Sequence, residues 1–273
     1  GATVTLTGGS ISGNPATTSS YSSVARGGNV YNSGTFNLVS GTIENGIVQN
    51  SYKRATGEAQ VVLAMGGNIY NDGTFTMTTG TISGGQARRS GTGDNLCQGG
   101  NIYNAGTFTM ADGTITGGNA VSNGGNVMIL GTAEKAATFT MENGTISEGF
   151  SAGSQGGVFA SAYATFTMND GLVDGNDSTW TGANVGAGGT NSVLDINGGT
   201  ISNGESEKGA GGNLFIQNGA TVTVDDATIS GGITKTAGGN IQYEGGSATF
   251  TNCTISGGNA THTTARFGGA NIA

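Results

Sequence analysis

One proline, one histidine, one tryptophan and two cysteines are all that 273 residues hold of these types, and only 10% of the chain is charged. Each scarcity closes a route. A net charge of −8 argues against nucleic acid, whose phosphates require a basic face. No apolar run approaches the roughly 18 residues of a membrane helix, so membrane insertion is not expected. No basic-then-apolar leader opens the chain, so either a leader has been removed or this is a slice of something longer. Two cysteines cannot make a disulfide scaffold, and there is no Cys/His metal spacing, phosphate loop or nucleophile motif, so no cofactor is expected. Helical periodicity is also missing.

What is abundant is glycine, 55 residues of it, and it recurs on a pattern. Residues 99–118 read GGNIYNAGTFTMADGTITGG; residues 66–85 repeat this as GGNIYNDGTFTMTTGTISGG and residues 27–46 as GGNVYNSGTFNLVSGTIENG. Looser copies begin at Gly124, Gly156, Gly188, Gly211 and Gly238. Within one unit, Asn101-Ile102-Tyr103, Thr107-Phe108-Thr109-Met110 and Thr114-Ile115-Thr116 alternate in polarity, which reads as three short strands. Ile102, Phe108, Met110 and Ile115 point one way and the threonines the other. The intervening Asn-Ala-Gly, Ala-Asp-Gly and Gly-Gly are turn residues. Such turns are too short for crossover helices, so each strand must pair with its counterpart in the next unit. The expected fold is therefore all-β: a single parallel β-helix over residues 1–273, three-sided, with about nine rungs at about 4.8 Å each. Its inward side chains are expected to be Val30, Phe36, Ile69, Phe75, Ile102, Phe108, Phe139, Phe166, Val222 and Phe250. Partial rungs occupy residues 1–13 and 268–273.

Connections from each TISGG to the next GGN vary from about five to about twenty residues, so insertions should project from one corner. Arg26, Lys53, Arg54, Arg88, Arg89, Lys208, Lys235 and Arg266 fall there. Asp72, Asp112, Glu142, Asp170, Asp225, Asp226 and Glu244 mark the other corners. Solvation of turns accounts for these carboxylates; loose Ca²⁺ binding is the alternative, though no GGxGxDxUx-type loop is present. Cys97 and Cys253 lie five to six rungs apart, about 25 Å, and should be free thiols.

The GGN…TFTM…TIS repeat resembles the right-handed parallel β-helices of bacterial surface proteins, among them autotransporter passengers and polymorphic outer-membrane proteins with GGA-I/L/V and F-x-x-N repeats. Residues 268–270 are the single GGA, and Phe250-Thr251-Asn252 lacks the F-x-x-N spacing. The resemblance implies right-handed coils and an extracellular or surface-attached protein with adhesive or structural duties. Pectin-lyase-like enzymes share that fold. Their chemistry needs clustered carboxylates with a His or a basic residue over a Ca²⁺ site; here Asp225-Asp226 is an isolated turn pair and His262 sits in a Thr-rich tail. No enzyme activity is expected, with a polysaccharide-active or carbohydrate-binding β-helix kept as an alternative.

Three repeated features could carry function. Asn29, Asn68, Asn101, Asn126, Asn213, Asn240 and Asn271 would stack as an amide ladder satisfying buried turns. Tyr31, Tyr70 and Tyr103 form a row that either stacks for stability or, with Trp180, binds sugar. Outward Thr-x-Thr pairs at Thr3/Thr5, Thr74/Thr76, Thr107/Thr109, Thr138/Thr140, Thr165/Thr167, Thr221/Thr223 and Thr249/Thr251 form a flat lattice of the kind seen in solenoid ice-binding proteins. Threonine is equally a good exposed strand residue. The lattice breaks at Asn37 and at Val193/Asp195.

The expected function is a structural β-helical fibre built by head-to-tail stacking of copies, or an adhesin stalk; ice binding is the alternative. No polar or helical cap is visible at either end. Joined, the ends read GGANIA followed by GATVTLTGGSISG, a nearly complete rung. Val4, Leu6 and Ile11 with Asn271 and Ile272 are the expected stacking residues, and the expected partners are copies of the chain or a surface polysaccharide.

Overall fold

The computed structural model describes residues 1–13, 15–20, 23–52, 62–89, 95–261 and 269–273. The calls on Asn14, Lys53, Arg54, His262, Arg266 and Gly268 fall outside the described residues. Those described form strands and turns without a helix, and every strand pairing is parallel to the equivalent strand one unit away. The chain is a parallel β-solenoid.

Register is set by like residues lying on like. Ile102 pairs with Ile69 and Val127, Phe108 with Phe75 and Phe139, Ile115 with Ile82 and Ile146. A slip of one residue would turn every apolar side chain outward, so alternation alone specifies the pairing. Ile102–Asn104 belongs to an eight-stranded column, which we call column one; its strands span about seven turns. Thr107–Met110 lies in column two and Thr114–Thr116 in column three. These two make one 16-stranded sheet, because Thr3–Ser12 and Thr35–Glu44 each run unbroken through both.

Sequence patterning shows three strands per unit; the structure has a fourth. Nine strands of two to four residues, among them Asn119–Ala120, Phe150–Ser151 and Asp177–Ser178, form column four directly after each TISGG. Two residues offer no alternation to read. Column four's buried positions are small and change from Val48, Ala87 and Ala120 to Ser151, Ser178, Ser206 and Thr234 along the axis.

The main core is the stack of inward residues. Phe36, Phe75, Phe108 and Phe139 lie ring on ring with centroids 4.9, 4.7 and 4.7 Å apart, and Phe166 follows at 5.6 Å, tilted by 47°. The expected inward residues are buried, with Phe250 partly so. Its register differs from its neighbours': Val222 pairs with Ala248 and Val224 with Phe250. The Phe–Met pair of early coils thus becomes Leu194–Ile196, then Val222–Val224, then Ala248–Phe250. Large and small exchange places while the strand still fills its share of the core.

The repeated Gly-Gly is imposed by close approach. Gly99 has φ +65°, and a Cβ on Gly100 would stand 2.1 Å from the Gly125 carbonyl oxygen and 2.3 Å from the Asn119 nitrogen. Backbone cannot retreat from either. Gly113, at φ +111°, also leaves room for the terminal methyl of Met77 from the preceding coil. The glycine pattern therefore records close backbone approach at Gly100 and a side chain seated from the preceding coil at Gly113.

The described parts of the long connections fold back instead of projecting. Val24–Arg26, Val62–Met65 and Asn95–Gln98 make a three-stranded parallel sheet of their own. One face packs Ala25, Ala64 and Cys97 with Val48, Ala87 and Ala120, and Met65, with partly buried Val24 and Leu63, joins Tyr70 and Tyr103. Solenoid and insertion thus share two minor cores.

Candidate functional surfaces

The asparagines form a ladder without a gap. Each Nδ2 donates to the next Oδ1: Asn29 to Asn68, Asn68 to Asn101 and Asn101 to Asn126, all at 2.8 Å. It continues from Asn126 to Asn176, Asn176 to Asn184, Asn184 to Asn213, Asn213 to Asn240 and Asn240 to Asn271 at 2.7–2.9 Å. Backbone partners fix every amide's orientation. For Asn101, Gly85 N–H donates to Oδ1 at 2.8 Å, while Nδ2 donates to the Thr116 carbonyl at 2.8 Å. One side chain therefore closes the turns of two coils, in a place where unpaired groups would be buried.

Sequence reading missed two rungs of this ladder and misplaced a coil. The coil assigned to Gly188 begins earlier, because Val185 pairs with both Val158 and Leu214, which makes Asn184 the ladder residue. The preceding coil has Gly157 where an asparagine is expected, and Asn176, from that coil's far end, reaches in to bridge Asn126 and Asn184. The signal was Gly182-Ala183-Asn184-Val185, a GGN-Val with one glycine replaced. A second, shorter amide row runs from Asn32 through Asn71 to Asn104 at 2.7 and 2.8 Å.

The tyrosine row stacks at 5.4 and 5.3 Å with rings within 4° of parallel. Only Tyr31 is open, 54% exposed; Tyr70 and Tyr103 lie beneath the insertion sheet with Met65, Met128 and Phe159. Burial pushes the Tyr70 and Tyr103 hydroxyls upward in pKa. Arg26 stands 5.1 Å over the Tyr70 ring. The same outer row continues to Gly186, where Gln155 lays its side chain in the vacant space, with its Oε1 unpaired. Trp180 is 53% exposed with Lys208 5.6 Å from its ring.

The threonines fall into two outward columns. Thr74, Thr107, Thr138 and Thr165 are in register, as are Thr76, Thr109, Thr140 and Thr167, giving four uninterrupted coils. Val193 and Asp195 interrupt them before Thr221 and Thr223. Thr249 then lies opposite Thr223, whereas Thr251 lies opposite Asp225, one position beyond both columns.

Charged groups are dispersed. Lys135 reaches across to Asp72. Asp177 and Glu205 are register partners in column four, and the Asp177 carboxyl is pushed upward by burial, then by Glu205 and Glu207. Among the described residues no group of three or more His, Cys, Asp or Glu is arranged to hold a metal ion. Cys97 and Cys253 are free thiols, the first buried.

Burial pushes the Cys97 thiol up to about 12 from 9.0, against the smaller opposing pull of the Arg89 charge. A raised thiol pKa means the folded chain resists losing this proton, so its contribution is intact below pH 9 and is lost as pH rises toward 12. We expect stability to fall by roughly 1.4 kcal/mol per pH unit across that window from this group alone. Denaturation of wild type and Cys97→Ala at pH 8 to 10.5 should give a shallower alkaline slope in the variant; equal slopes would refute the assignment.

The two ends present apolar side chains. At the N-terminal end Val4 is 50% exposed, with Leu6 and Ile11 half-buried. At the C-terminal end Ile241, Tyr243, Ala248, Phe250, Ile272 and Ala273 line a hollow of about 340 Å³, and Ile272 is 47% exposed. No protein-family model, curated protein or solved structure matches this chain.

Proposed function

We propose that the protein is an extracellular structural rod, a β-helical fibre or the stalk of a surface adhesin, built of right-handed three-sided coils as in the bacterial surface proteins its repeat resembles. The observation that carries this reading is the amide ladder running through eight successive side-chain hydrogen bonds from Asn29 to Asn271. Repeating the stacked amide from coil to coil serves length and stiffness, since each coil is held by its neighbours. Electron microscopy of native material with antibody labelling should find thin unbranched rods outside the cell. Compact particles, or labelling confined to the cell interior, would remove the proposal.

The four-coil threonine lattice favours a second reading, ice binding. Two outward columns about 7 Å apart with coils about 4.8 Å apart present hydroxyls and methyls on a regular grid. If the face contacts ice, dilute protein depresses freezing below melting and shapes crystals, and Thr109→Lys abolishes both. Absence of hysteresis at millimolar protein ends this reading.

A further inference from the structure

We propose that Asn143 is a site of self-modification: the Gly144 nitrogen attacks the Asn143 side chain, ammonia leaves, and water opens the resulting ring to aspartate or isoaspartate. The substrate is the chain's own carboxamide and the co-reactant is water.

An Asn-Gly pair permits this cyclisation because glycine puts no Cβ in the path of the closing ring. The sequence holds six such pairs, at Asn45, Asn123, Asn143, Asn197, Asn203 and Asn218. The fold separates them. At three, the nitrogen that would attack is already committed: Gly46 N–H donates to Asn68 Oδ1 at 2.7 Å, Gly204 N–H to Asn213 Oδ1 at 3.0 Å and Gly124 N–H to the Ser154 carbonyl at 3.3 Å. At two others the carboxamide is turned elsewhere. Asn197 Nδ2 donates to Asn169 Oδ1 at 3.0 Å, and Asn218 lays its Oδ1 against Gly245 of the next coil. Asn143 is exposed to water, and among the described residues it makes no side-chain hydrogen bond and no backbone acceptor takes the Gly144 N–H.

The turn supplies the approach. Met110, Met141 and Met168 are in register, as are Thr114, Thr145 and Leu172, so Asn143 occupies the position of Asp112 in the coil before and Asp170 in the coil after. The glycines that follow share one conformation, with φ +111°, +103° and +100° at Gly113, Gly144 and Gly171. At both aspartates the side chain folds back on the next amide: Gly113 N–H donates to Asp112 Oδ1, and Gly171 N–H to Asp170 Oδ1, at 2.7 Å each. A side chain that brings its oxygen to the next nitrogen holds Cγ one C–O bond behind it. Asn143 in this turn reaches the same arrangement with a carboxamide, which can lose ammonia, in place of an ionised carboxylate, which keeps its oxygens.

The step needs no oxidant or reductant. Hydroxide takes the Gly144 amide proton, the N–Cγ bond forms, and the Cγ–Nδ2 bond breaks with release of ammonia. Water then opens the five-membered ring at Cγ to give aspartate, or at the Asn143 main-chain carbonyl to give isoaspartate. Either product sets a carboxylate between Asp112 and Asp170 on coils about 4.8 Å apart, three like charges in one row. Isoaspartate also adds a methylene carbon to the main chain of a tight turn, where a Cβ on Gly144 would stand 2.6 Å from the Gly113 carbonyl oxygen.

The test incubates the folded 273-residue chain at neutral and mildly alkaline pH and follows each Asn-Gly peptide by mass spectrometry. The peptide holding Asn143 should gain one mass unit and split into two products of equal mass, faster as pH rises and about tenfold or more ahead of the other five. In the chain unfolded by denaturant that lead should disappear, since the positioning is gone. Asn143→Gln, which would have to close a larger ring, should remove the fastest event from the folded chain. A different pair reacting first, or Asn143 leading equally in the unfolded chain, overturns the assignment to this turn. Aspartate formed without isoaspartate also overturns it, because direct hydrolysis of the amide gives aspartate alone.

Discussion

Asn101→Ala should cost about 4–6 kcal/mol, far more than an asparagine-to-alanine change on the surface. The side chain is fully buried and satisfies four partners: Asn68 Nδ2, Gly85 N–H, the Thr116 carbonyl and Asn126 Oδ1. Truncation strands the Gly85 N–H outright, at about 1–3 kcal/mol, and takes one hydrogen bond, at about 0.5–1.5 kcal/mol apiece, from Asn68 Nδ2, the Thr116 carbonyl and Asn126 Oδ1, which keep Ser83 O, Gly84 N–H and Gly118 N–H as partners. Because each coil touches only its neighbours, the damage should be local and a single global transition need not describe it. Hydrogen exchange reads it directly: the Gly85 amide and the adjoining turn should lose protection, while coils beyond Asn184 keep theirs. Asn143→Ala, at an exposed turn, serves as control and should stay within about 0.5 kcal/mol. Similar effects in both variants would mean the ladder is not what holds the turns.

Phe108→Ala should cost about 3–5 kcal/mol, from lost transfer energy and the cavity left between two rings that cannot close on it. Phe75 and Phe139 are each 4.7 Å from it, held by their own strands. Thr107→Ala on the same strand, pointing outward, should be nearly neutral. The stack also predicts a gradient. Phe166 is tilted 47° and 5.6 Å from Phe139, so Phe166→Leu gives up less ring contact than Phe108→Leu. Chemical denaturation of the paired variants checks both points, and a larger loss at Phe166 would show that stacking geometry contributes little.

Much of this was legible because a repeat supplies its own alignment. Ile102, Phe108 and Ile115 recur at matching places, and a solenoid is the arrangement in which short turns let such residues meet. Legibility failed where structure depends on a residue outside the motif. Asn176 completes the ladder from the far end of its coil, which no comparison of GGN triplets would suggest. Column four was hidden in segments that looked like connection, because two-residue strands carry no period. Ala248 and Phe250 exchange sizes without changing the strand's total, so matching Phe to Phe put them out of register. Tyr70 and Tyr103 looked like an exposed row because what covers them, Met65 and its strand, lies in a connection whose length varies. The outward threonines of four coils lie in two columns, as their alternation suggests, whereas Thr251 falls outside both because its strand's register was misjudged; their use is a chemical question that alternation cannot answer.

The directed ladder also bears on how such a chain can be inherited. Each coil receives one amide hydrogen bond from the coil before it and passes one to the coil after, and Gly99 and Gly124 share the same φ of +65° at the same step. Excising residues 99–123 would bring Gln98 to Gly124 and set Asn68 beneath Asn126, leaving no amide unmatched. Duplicating that segment would be equally silent. Length in this molecule is thus a heritable quantity that unequal recombination can raise or lower by whole coils, without a single compensating substitution.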